Sequence, residues 1–75
     1  MTTQEIREFN KQFTDRMFIE GRYLDQAKTM GTILARWHSH EFVTWRFYVR
    51  DGKIDCESGH YFMTLESAVK DYLER

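Results

Sequence analysis

The side chains best suited to chemistry are His38, His40, Cys56 and His60. Imidazole and thiolate are the ligands zinc prefers, and a structural zinc would help a chain this short to fold. The spacings His38-x-His40 and Cys56-x3-His60 match no standard zinc knuckle. The strand pairing argued below sets Cys56 opposite Phe47 on an apolar face, where a thiol behaves as a small hydrophobe. The run His38-Ser39-His40-Glu41 approaches an H-x-H-x-D metal pattern but places Glu41 and Phe42 where other ligands are wanted. Cys56 and His60 can be drawn as nucleophile and base, yet no residues supply an oxyanion hole. There is no H-E-x-x-H, no nucleophile elbow and no phosphate-cradling glycine run. The expectation is a chain that is not an enzyme and uses no metal and no cofactor.

Composition narrows the classes further. The chain has 75 residues, enough for a single domain spanning 1–75. A domain of this size buries only roughly 60% of its unfolded surface. Cys56 is the only cysteine, which points to a reducing, cytoplasmic setting. Thr2–Lys11 is polar and shows no signal peptide, and no apolar run reaches the roughly 20 residues of a membrane helix. The net charge of −1 exerts no general pull on nucleic acid or anionic lipid. Six Phe, four Tyr and two Trp supply more aromatic bulk than a small core obviously needs.

The elements follow from periodicity. Thr2 and Glu5 have capping-box spacing, and Ile6, Phe9, Phe13 and Met17 recur at helical intervals. That predicts a helix over 3–17, stopped near Gly21. Leu24, Ala27, Met30, Leu34 and Trp37 fit one face of a second helix over 22–38, with a strand over 32–38 as the rival reading. Phe42–Arg50 and Lys53–Ser58 read as strands about the turn Asp51-Gly52. A two-residue turn pairs Arg50 with Lys53, Val49 with Ile54, Tyr48 with Asp55, Phe47 with Cys56 and Arg46 with Glu57. One face then carries Val43, Trp45, Phe47, Val49, Ile54 and Cys56. The other carries Phe42, Thr44, Arg46, Tyr48 and Arg50 with Lys53, Asp55 and Glu57. Gly59–Phe62 is read as leaving the strand. Thr64 caps a last helix with the stripe Leu65, Ala68, Val69, Tyr72 and Leu73. The expected fold is α+β: a helical hairpin, a β-hairpin and a C-terminal helix (α-α-β-β-α), with α-β-β-β-α as the alternative.

Three surface readings follow. Phe42, Arg46, Tyr48, Arg50 and Lys53 could stack bases and hold phosphates of single-stranded nucleic acid, although Asp55 and Glu57 lie opposite them. Gly31-Thr32-Ile33-Leu34-Ala35-Arg36 resembles the G-T-F-L-V-R strand of SH2 domains, and Phe62, Leu65, Ala68, Val69 and Tyr72 have the spacing of that family's closing helix. That resemblance would imply phosphotyrosine recognition. It spans about a quarter of the chain; the stretch between the motifs is too short for the family's central sheet, its entry Trp is missing, and no residue role is carried over. The leading expectation is a protein-binding module. It would act as a stoichiometric inhibitor or regulator of the phage or mobile-element accessory type, with a homodimer among its possible partners. Aromatics and Arg are enriched at interface hot spots, and Trp37, Phe42, Arg46, Tyr48, Arg50 and Tyr61 are the candidate contact residues.

Overall fold

The computed structural model describes residues 1–37 and 41–75. The elements are α1 (Thr3–Gln12), β1 (Arg16–Tyr23), β2 (Met30–Trp37), β3 (Glu41–Arg50), β4 (Lys53–Phe62) and α2 (Leu65–Glu74). The strands form one antiparallel sheet in the order β1-β2-β3-β4. This α-β4-α architecture corrects both expected arrangements: the described residues form no helical hairpin, and the β-hairpin is half of a larger sheet.

Helix α1 begins as its sequence demands. The Thr2 hydroxyl accepts from the Glu5 N–H while the Glu5 carboxylate accepts from the Thr2 N–H, an arrangement worth about 1 kcal/mol. The helix ends at Gln12, not Met17. Phe13 leaves helical geometry with φ −120° and ψ 73°, turning its ring onto Phe9 at 5.0 Å between centroids. The helical spacing of Met17 was a coincidence, for Met17 lies on β1.

The proposed second helix is a strand, a turn and another strand. Asp25 builds the turn: its carboxylate accepts from the backbone N–H groups of Thr29 and Met30 and from the Thr29 hydroxyl, and Lys28 takes a positive φ of 58°. In β2, every residue from Gly31 to Ala35 is buried. A strand buried on both faces shows no polar–apolar alternation, so its apolar residues fell into helical spacing by chance.

The β3–β4 register is the one Asp51-Gly52 dictates, from Arg50–Lys53 to Arg46–Glu57. β4 does not end at Ser58. A bulge shifts register opposite Trp45, Ser58 takes a φ of 55°, and pairing resumes from His60 to Phe62.

One face of the sheet packs on α1, with Phe9, Ile33, Ala35, Val43, Trp45, Phe47 and Ile54 at its centre. The other packs on α2 through Leu34, Ala68 and Tyr72, with Phe42, Phe62 and Val69 beside them. Gly31 permits the first core: a Cβ there would come within 2.0 Å of the Arg22 carbonyl oxygen and 2.8 Å of the Phe47 ring. Phe47→Ala should cost roughly 3–5 kcal/mol. Gly31→Ala should cost at least the upper end of the ~1–3 kcal/mol typical of overpacking. Urea melts check both; a Gly31→Ala midpoint equal to wild type would mean that the β1–β2 contact is looser than described.

Candidate functional site

The six candidate contact residues do not form one surface. Phe42 packs against the α2 core. Arg46 is half-buried beside the last turn of α2, its Nη2 3.4 Å from the Arg75 carbonyl oxygen. Tyr48 and Arg50 lie beyond the helix, with the guanidinium 5.4 Å from the ring centroid. Arg50 also lies 3.9 Å from Asp55 in an exposed ion pair, of little energetic weight. Trp37 and Tyr61 sit on the opposite, α1-facing side, their rings 5.1 Å apart.

The supposed aromatic surplus is mostly absorbed on that side. The Arg16 guanidinium lies 5.0 Å from the Trp37 ring and 5.1 Å from the Trp45 ring, and Trp45 packs on Phe13 and Phe9. Each cation–π contact is worth about 0.5–2 kcal/mol, more when water is excluded. Arg16 had no place in the sequence reading because β1 was not foreseen.

A second polar assembly joins the end of α2 to the sheet. Arg22 of β1 donates through Nη2 to the Tyr72 and Leu73 carbonyl oxygens at 3.2 and 3.1 Å. Arg75 donates through Nη1 to the Thr44 carbonyl at 2.9 Å and to its hydroxyl oxygen at 3.2 Å. The last turn of α2 carries no basic residue of its own, so arginines of the sheet satisfy its terminal carbonyls. On the other flank the Asp71 carboxylate accepts from the Thr44 hydroxyl at 2.5 Å and meets His60 Nδ1 at 2.9 Å. Asp71 and Arg75 therefore clamp α2 onto the sheet. Burial pulls the Asp71 pKa up, but the hydrogen bonds from Thr44 and His60, with the His60 and Arg75 charges, outweigh it and hold it below 3.8.

The third feature is apolar. With Asp71 facing β3 and β4, helical geometry turns Leu73 to the opposite flank of α2. Leu73 is 61% exposed and Met17 on β1 63%; Ile19 and Leu65 are exposed as well. Ile19 falls at the β-bulge between Phe18 and Glu20. The strand's outer backbone is partly occupied: the Leu24–Met30 bond sets the ladder phase so that the Gly21 N–H points away from β2, where it donates to the Glu20 carboxylate at 3.1 Å.

Cys56 and His60 do not form a nucleophile–base pair: Cys56 faces the α1 core, while His60 faces Asp71. His38 and His40 lie outside the described residues. Among the described residues no group of three or more His, Cys, Asp or Glu side chains could hold a metal ion. No helix among them is long and apolar enough to cross a membrane. No family model matches the chain, and no curated protein or solved structure matches it.

Burial, with a contribution from Asp55 and against the effect of Arg16, pushes the Cys56 thiol up to about 12. At pH 8 the native protein should therefore react with iodoacetamide far more slowly than the urea-unfolded chain; equal rates would restore Cys56 as a reactive group. Because the folded pKa of Asp71 is depressed, its stabilisation is complete above 3.8 and is lost as pH falls through the lower folded value. The stability gap between wild type and Asp71→Asn should be widest near neutrality and should narrow below about pH 4, as read from urea midpoints; a gap independent of pH would assign Asp71 a purely steric role.

Proposed function

We propose that the chain acts by binding another protein, through the apolar flank between α2 and β1. The observation that carries this reading is the exposure of Met17 on β1 and Leu73 on α2, at 63% and 61%, with Ile19 and Leu65 exposed as well. Exposed apolar groups that gather on one side of a small domain mark an interaction surface more often than scattered ones do. The position moves from the hairpin face first expected, because α2 covers Phe42 and draws Arg46 into its own last turn. The reading is of a stoichiometric regulator, with shape and apolar contact setting affinity.

The test is capture of partners by the tagged chain from cells of its source organism, repeated with Met17→Glu plus Leu73→Glu. Both side chains are exposed, so the thermal midpoint should stay near wild type while a specific partner is lost. Capture that survives both substitutions would move the interface elsewhere. A dilution-stable dimer that the same substitutions split would identify the partner as a second copy of the chain.

A further inference from the structure

We propose that Met17 is a site of reversible oxidation, at which a peroxide converts the thioether to a sulfoxide and so closes the apolar flank to its partner. This regulation rests on the protein-binding role of that flank.

The chain has four methionines, and the fold treats them unequally. Met17 on β1 is 63% exposed and Met63, between β4 and α2, is 69% exposed. Met1 packs against the aromatic core beneath α1. Met30, at the start of β2, is half-buried. Peroxide attack requires access to the sulfur, so Met17 and Met63 are the sites open to it. In that step an S–O bond forms and the peroxide O–O bond breaks. The sulfur is oxidised by the pair of electrons that reduces the peroxide, and the second oxygen leaves as water with both peroxide protons. The product is a polar side chain in place of an apolar one, and reductases reverse the change.

The surroundings of Met17 set it apart from Met63. The strand registers place Met17, Arg36, Phe42 and Phe62 in one row across the sheet, on the face that packs on α2. Residues directly opposite on antiparallel neighbours hold their Cβ atoms about 4.5–5.5 Å apart, so Met17 lies beside Arg36. Arg36 is exposed, with its guanidinium 6.0 Å from the Phe42 ring centroid. A thioether offers that guanidinium only a weak acceptor and presents a flexible apolar surface to a partner. A sulfoxide oxygen is a strong acceptor within reach of the guanidinium N–H fork. Oxidation therefore makes the flank polar and gives the new oxygen a tether on the protein. An apolar partner surface would have to bury that oxygen, at the cost of its hydrogen bonds. Met63 follows the end of β4 and has no place in the row, which makes it the exposed control.

The experiment treats the intact chain with hydrogen peroxide, follows each methionine by peptide mass, and repeats the partner capture with the treated protein. Each sulfoxide adds about 16 Da. Met17 and Met63 should convert before Met30 and Met1, with the thermal midpoint near that of untreated protein because both side chains are exposed. The captured partner should be lost on oxidation and regained after treatment with methionine sulfoxide reductases. Met17→Leu, apolar and of similar volume, should keep the partner before and after peroxide, whereas Met63→Leu should lose it after peroxide as the wild type does. Conversion of Met17 no faster than that of Met30, undiminished capture by protein oxidised at Met17, or a loss that persists in Met17→Leu would each overturn the proposal. If Met17→Glu plus Leu73→Glu still captures the partner, the flank itself is misplaced and the switch falls with it. If that variant loses the partner while the Met17 sulfoxide keeps it, the switch alone falls.

Discussion

The burial of Gly31–Ala35 from both sides is the constraint on which the molecule depends. A short chain has too little apolar surface for two independent cores, so one strand serves both. Ile33 and Ala35 belong to the aromatic core beneath α1, while Leu34 between them anchors Ala68 and Tyr72 of α2. The flanking strands must therefore hold β2 in register on each edge, and each helix must cover its own face. The two halves are not equivalent. Phe9, Trp45 and Phe47 make the α1 side a largely apolar contact. On the α2 side, buried Thr32 and Thr44 interrupt the apolar surface, and polar ties from Arg22, Asp71 and Arg75 supplement a smaller core.

The elements legible in the sequence were those governed by local chemistry. Thr2 with Glu5 marked the start of α1, Asp51-Gly52 fixed the β3–β4 register, and Thr64 marked the start of α2. The failures lay where tertiary contact prevails. Met17 extended the helical spacing of Ile6, Phe9 and Phe13, but the chain leaves helical geometry at Phe13 and enters β1 at Arg16. The strand over 32–38, the rival reading, corresponds to β2, whose alternation is blurred by burial on both faces, and its turn came from Asp25 and Thr29 rather than from Gly or Pro. The Ser58 bulge, set opposite Trp45, hid the second half of β4.

Of the candidate surface, Tyr48 and Arg50 were legible because the hairpin register alone places them on one face. Arg22 was not, since its approach to Arg46 exists only once β2 lies between them. Trp37 and Tyr61 looked available for a partner until Arg16, two strands from Tyr61's neighbour β3, supplied a cation to pack against Trp37 and Trp45. Met17 and Leu73 were both assigned to inward helical stripes, yet Met17 lies on β1 and both are exposed.

The bond from the Gly21 N–H to the Glu20 carboxylate bears on how the chain behaves in a crowd. An outer strand with free donors is a template for end-to-end growth, in which one molecule's sheet continues into the next. Here a growing ribbon would have to evict a charged carboxylate and also accommodate the bulge at Ile19. Both features sit at the middle of β1, where an incoming strand would need the most regular backbone. The result is a β1 edge that resists continuation into a second molecule's sheet.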